Sequence, residues 1–135
     1  MDWINEKILG DDDYGFVYII TNKITNKIYI GKKALYHTRK TKISKREKTK
    51  TKTRKTFKYI IKDSGWKSYW GSSEELLKDY KKNPNHFKKE IIDTAINKKQ
   101  LSYLEAKYQF QYNVLEENTY NKNILGKYYK KDTKI

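Results

Sequence analysis

Two short runs of β-branched and aromatic residues, Phe16–Thr21 and Lys27–Gly31, flank a polar stretch. Asn22, Thr25 and Asn26 in that stretch have short polar side chains that bond the local backbone and tolerate left-handed dihedrals. The pattern predicts a β-hairpin with a longer loop. Strand alternation puts Val17, Ile19, Ile28 and Ile30 on one face. Tyr18, Tyr29 and the bare backbone of Gly31 then share the other. Phe87–Ile92 is short and ends in β-branched residues, which predicts a third strand.

Two helices are legible downstream. Ser72 with Glu75 three residues on fits a capping box. The helix it opens runs to about Lys82, where Asn83-Pro84-Asn85 ends it. From about Gln100 to Val114, Leu101, Leu104, Tyr108, Tyr112 and Leu115 form an apolar stripe at helical spacing. Ala34–Arg39 is read as the start of a further helix. Met1–Tyr14 is a polar lead-in with Trp3, Ile4, Ile8 and Leu9 as docking residues, and Asp11-Asp12-Asp13 is a solvated acidic turn. The expected architecture is α+β: a small three-stranded antiparallel sheet flanked by helices, in one domain spanning 1–135.

Composition changes this picture in one place. The net charge is +15, and fourteen Lys or Arg with a single acid, Glu47, fall between Lys32 and Lys62. Within that region Lys40–Thr56 is rich in lysine and threonine, and its charge density opposes compaction. It is expected as a mobile basic loop near 40–56 that follows a phosphate backbone through Lys40, Lys42, Lys45, Arg46, Lys48, Lys50, Lys52, Arg54 and Lys55. A balance this basic points to a polyanionic partner, with nucleic acid ahead of an anionic membrane. There is no cysteine, which excludes disulfides and Cys-based zinc sites. No apolar run approaches the ~20 residues of a membrane span. A cytoplasmic protein with no membrane partner is the expectation.

Phe16-Val17-Tyr18, ten residues, then Tyr29-Ile30-Gly31 resembles the signature of the GIY-YIG nuclease superfamily. The second triad is intact, whereas Phe16 stands where the first triad usually has glycine, with Gly15 one place earlier. Trp66–Ser73, Leu101–Phe110 and Asn123–Tyr128 extend the likeness to small phage proteins of the Seg-type homing endonuclease group. It covers roughly Tyr14–Tyr129.

The resemblance implies a set of roles. Arg39 follows the second glycine at the family spacing and would offer its planar fork of donors to phosphate oxygens. Glu105 would hold one hard divalent cation, Mg²⁺ or Mn²⁺. Tyr18 would take a proton from the attacking water, which for a phenol of pKa ~10 requires nearby positive charge from Lys32, Lys33 or the cation. Tyr29 would orient water or phosphate. Asn123 matches the family asparagine, with Asn121 as the alternative, and would position the phosphate or Glu105. His37 and His86 fall at no family position and are read as exposed polar residues.

The implied function is a metal-dependent endonuclease acting on duplex DNA without a small-molecule cofactor, in the host cytoplasm if phage-encoded. The alternative is a non-catalytic nucleic-acid-binding protein that keeps the fold. Composition alone would also suit a ribosome-associated basic protein.

Overall fold

A computed structural model describes residues 2–52 and 54–132, apart from the side chains of Arg39, Thr51 and Lys58. Three strands form the central antiparallel sheet: β1 (Gly15–Asn22), β2 (Ile28–Ala34) and, last in the chain, β5 (Phe87–Ala95). Their order is β2-β1-β5, so β1 is central and β2 is an edge. The three expected strands are all present, each longer than its apolar run.

The alternation within the hairpin holds. Phe16, Tyr18 and Ile20 of β1 pack with Phe87 and Ile91 of β5 on one face, joined by Trp3, Trp70 and Leu76. Val17 and Ile30 pack on the other with Leu101, Ala106, Val114 and Ile124. The sheet therefore has a core on each side.

Helix α2 (Glu74–Lys82) covers the first face and α3 (Lys98–Gln111) the second. The expected cap of α2 is displaced by one residue: Ser73, not Ser72, accepts the Leu76 amide proton. Glu75 is drawn away to an ion pair with Lys27. On α3 the expected stripe is only partly buried. Tyr112 lies exposed beyond the helix end, and Gln109 is buried instead. The polar lead-in docks through Trp3, which is buried, while Ile4 and Ile8 stay exposed. Among the described residues no helix is long and apolar enough to cross a membrane.

The region between β2 and α2 departs most from expectation. Ala34–Arg39 does not begin a helix. Strand β3 (Tyr36–Lys42) runs out, helix α1 (Lys45–Thr51) caps on Ser44, and β4 (Phe57–Asp63) returns antiparallel to β3. The stretch 40–56, expected as a loop, is thus the end of a strand, a short helix and a return. Strand pairing, which local lysine and threonine content does not reveal, overrides the charge density here. The ribbon is fastened at its base, where Leu35 N–H donates to Tyr14 O and Ser64 N–H donates to Leu35 O. Two short strands, β6 (Asn123–Ile124) and β7 (Tyr128–Tyr129), close the C-terminal segment.

One buried cation holds the first core in shape. Lys89 of β5 is fully buried. Its Nζ donates to the carbonyls of Lys67 and Tyr69 at 2.8 and 3.0 Å and lies 4.4 and 4.8 Å from the ring centroids of Trp3 and Trp70. It ties the 66–70 segment down over the sheet. Burial disfavours the charged form and lowers the Lys89 pKa from 10.5 to about 8, against weaker support from Glu6 and Asp2. Between those two values the unfolded chain binds more protons than the folded one, so this group makes stability rise with pH from about 8 upward. The thermal midpoint of the wild type, measured against that of Lys89→Met at each pH, should therefore climb between pH 7.5 and 10. Parallel pH profiles of the two proteins would contradict this.

Candidate functional site

The site forms where the register of the hairpin brings two tyrosines and a glycine together. Tyr18 pairs with Gly31, and Ile20 with Tyr29. The Tyr18 side chain lies across the bare Gly31 backbone, and a Cβ there would sit 2.4 Å from the Tyr18 hydroxyl oxygen. The glycine of the second triad is thus required by close approach, not by its own dihedrals. The rings of Tyr18 and Tyr29 stand 6.1 Å apart on one face, as the alternation predicts. In β1–β5 the register slips by one residue between Val17 and Tyr18, a bulge of the kind that re-aims a neighbouring side chain. Gly71 passes over the pair at φ +88°, a left-handed conformation that favours glycine, and a Cβ there would meet Tyr18 Oη and Tyr29 Cε1 at an ordinary contact distance of 3.4 Å.

The two phenols differ in environment. Tyr18 is only 1% exposed, and burial, then the neighbouring Tyr29 and Tyr69, push its pKa well above 10. Tyr29 is half-buried and shares a hydrogen bond of 3.1 Å with Ser72. Burial raises its pKa as well, and the Ser72 hydroxyl opposes that shift. At neutral pH both carry their protons.

β2 is an edge strand, so residues from both of its faces meet at its open side. Tyr29 reaches that edge from one face, and Glu105 of α3 reaches it from the other. They line a single cleft of about 430 Å³ together with Lys32, Ser72, Asn121 and Lys122. Burial raises the Glu105 pKa, while the Lys32 ammonium and backbone amide hold it down. Lys32 Nζ also donates to Ser102 Oγ at 2.8 Å. Lys33 points to the opposite face, its ammonium 4.2 Å from the centroid of the Tyr69 ring.

Both candidate asparagines border the cleft, in different ways. Asn121 is buried. Its Oδ1 accepts from Ile30 N at 2.9 Å and its Nδ2 donates to Ile30 O at 2.8 Å. It thereby completes the β2 edge between Tyr29 and Gly31 as a neighbouring strand would. Asn123 is exposed, and its Oδ1 accepts from Gly126 N at 2.9 Å. Asn121→Ala leaves the Ile30 amide orphaned in a buried place, at a cost of about 1–3 kcal/mol. A fall of several degrees in thermal midpoint is expected, and an unchanged midpoint would show that the edge is held without it, by Gln109 Nε2 donating to Ile30 O and Tyr120 N–H donating to Ile28 O.

Arg39 lies in β3, its backbone paired with Ile60, and not at a helix start. Its side chain falls outside the described residues. The basic residues expected to contact nucleic acid lie along the ribbon and α1, with Lys40 and Lys42 on β3 and Lys45, Arg46, Lys48 and Lys50 on α1. His37 is exposed on β3, and His86 sits in a short turn of 3₁₀ helix before β5. Ser72 and Lys122 are additions that the sequence did not single out. Ser72 carried a false signal as a helix cap. Lys122 carried none, being one lysine among many.

A cation fits this cleft. Glu105 is a hard oxygen donor whose charge burial disfavours and a cation would restore. A Gln109 side-chain oxygen, buried and without a partner, borders the same cleft. Among the described residues no three His, Cys, Asp or Glu converge. The donor set therefore suits an ion that keeps most of its waters, as Mg²⁺ does.

A family model described as "Putative endonuclease segE, GIY-YIG domain" matches residues 3–132. No curated protein and no solved structure gives a significant match.

Proposed function

The chain belongs to the GIY-YIG endonuclease family, and from that premise we propose that it hydrolyses phosphodiester bonds of duplex DNA at the open edge of β2, with one divalent cation held by Glu105. The observation that carries this reading is the shared cleft: Tyr29 of β2 from one face of the sheet, and Lys32 of β2 with Glu105 of α3 from the other, meet at one polar cavity. A protein that only bound DNA would have no use for a half-buried carboxylate among its cations.

Lys32 and Lys122 border the cleft and neutralise the scissile phosphate. Tyr29 Oη, hydrogen-bonded to Ser72, belongs to the more accessible of the two phenols and orients the attacking water. Tyr18 holds the ring of Tyr29 in place from below. Its deep burial and raised pKa move the water-contacting role from Tyr18, where the family likeness put it, to Tyr29. Asn121 fixes the strand that carries Tyr29, and Asn123 borders the same opening. Arg39 keeps the phosphate-binding role that the family likeness gives it, and Lys33 packs its ammonium against the Tyr69 ring. When bound, the cation supplies charge stabilisation for the pentacovalent phosphorus and the leaving oxygen.

The small phage proteins that the sequence resembles are homing endonucleases, and that role is part of this proposal. Supercoiled plasmid incubated with the protein and Mg²⁺ should be nicked or linearised, and EDTA should stop it. Plasmid left intact with Mg²⁺ and with Mn²⁺, by protein shown to bind it, would favour the non-catalytic binder.

A further inference from the structure

The β3–β4 ribbon carries an uncovered apolar face. β3 and β4 pair from Tyr36↔Asp63 to Lys42↔Phe57. Alternation then places Tyr36, Lys40 and Lys42 on the same side as Phe57, Tyr59 and Ile61. Ile61 is 72% exposed, Tyr59 70%, Tyr36 54% and Phe57 46%. Strands normally bury such residues. Among the described residues these two strands are fastened to the body of the protein at their base, through the hydrogen bonds at Leu35 and Ser64 described above. Lys40 Nζ lies 4.3 Å from the centroid of the Phe57 ring, so charge and aromatic surface are interleaved.

Charge selects the occupant. Residues 36–63 hold twelve Lys or Arg and two acids. A second copy of the ribbon would bring equal positive charge against this face, whereas a polyanion is attracted to it. The major groove of B-DNA, ≈ 12 Å wide, admits a two-stranded β-ribbon, and its floor offers thymine methyl groups to apolar side chains. Resting on the endonuclease reading for the choice of DNA, we propose that this face of the ribbon enters the major groove. Tyr59 and Ile61 meet base edges and thymine methyls there, and Lys40, Lys42 and the lysines of α1 grip the flanking phosphates. The ribbon then supplies sequence preference, and the cleft supplies cutting.

The test uses fluorescence anisotropy in EDTA, with the full chain and its Tyr59→Ser/Ile61→Ser variant. The probes are a short A/T-rich duplex and the same duplex with every thymine replaced by deoxyuridine, which deletes the major-groove methyls. Wild type should bind the deoxyuridine duplex more weakly, by about four-fold for each methyl contacted. The variant should bind the thymine duplex more weakly than wild type and should not distinguish the two. Its salt slope should match wild type, because the phosphate contacts remain. Both side chains are exposed, so the variant is expected to fold, and circular dichroism checks this.

Equal wild-type affinity for the two duplexes overturns the proposal. So does a variant that still discriminates, a wild-type dimer that the variant breaks in sedimentation, or a loss confined to phosphatidylserine vesicles. The endonuclease reading fails separately. A wild type that discriminates the duplexes but never cuts plasmid keeps the ribbon proposal and removes the nuclease, and one that cuts without discriminating does the reverse.

Discussion

Gly31→Ala should abolish cleavage while the protein still binds DNA. The added Cβ would lie 2.4 Å from the Tyr18 hydroxyl oxygen, 2.7 Å from its Cζ and 3.0 Å from Tyr29 Cε1. Tyr18 cannot withdraw. Its ring is enclosed by Trp3, Phe16 and Tyr69 at centroid distances of 5.2, 6.1 and 6.0 Å. Either the tyrosine pair is expelled from its geometry or β2 moves away from β1, and both displace Tyr29 from the cleft. Overpacking of this kind costs about 1–3 kcal/mol in stability. A fall of several degrees in thermal midpoint should accompany the lost activity. Binding should survive because the densest run of cations, twelve Lys or Arg between residues 36 and 63, lies on the ribbon. Gly10→Ala is the control, since its Cβ meets only Asp13 Oδ2 at 3.6 Å. A Gly31→Ala protein that cuts at the wild-type rate would mean that the tyrosine pair is packing and nothing more.

Glu105→Gln should separate chemistry from binding. The carboxylate borders the cleft beside Lys32 and Lys122. Without a cation it repels phosphate, so its removal should leave affinity for duplex DNA unchanged or tighter. Cleavage should fall by about 10³-fold or more, because charge stabilisation at the reacting phosphate contributes several kcal/mol to lowering the barrier. Unfolding is not an alternative explanation. Burial raises the Glu105 pKa, so its charged form costs the folded state stability at neutral pH. Replacing it with the neutral isostere should therefore leave the thermal midpoint at or above wild type. A loss of activity together with a lower midpoint would mark Glu105 as structural.

The central sheet was legible because its residues alternate. Val17, Ile19, Ile28 and Ile30 against Tyr18 and Tyr29 define two faces with no help from the rest of the chain. The strands ran longer than predicted because backbone pairing continues through Lys32 and Lys33, which carry no apolar signal. The ribbon was not legible. Tyr36–Lys42 has lysine and threonine where a strand detector looks for valine, and its partner Phe57–Asp63 lies beyond a helix. Only the pairing with Phe57–Asp63, a contact distant in sequence, makes Tyr36–Lys42 a strand. Lys89 was missed for a related reason: lysine is ordinarily exposed, and no local pattern tells that two tryptophans and two carbonyls will enclose it.

The site divides in the same way. Tyr18, Tyr29 and Gly31 could be read from spacing and alternation. Glu105 was singled out by family likeness, since a glutamate beside an apolar stripe is more often a surface residue. Family likeness put Asn123 ahead of Asn121, and no local pattern tells that Asn121 is the one that lies against Ile30.

Single-turnover cleavage of one duplex by wild type and Glu105→Gln across a range of Mg²⁺ concentrations, beside a gel-shift titration on the same DNA, tests the central claim most directly. The wild-type rate should rise with Mg²⁺ and saturate. The variant should stay near background at every concentration while shifting the DNA at least as well. Cleavage by the variant at close to the wild-type rate, or a wild-type rate indifferent to Mg²⁺, would contradict it.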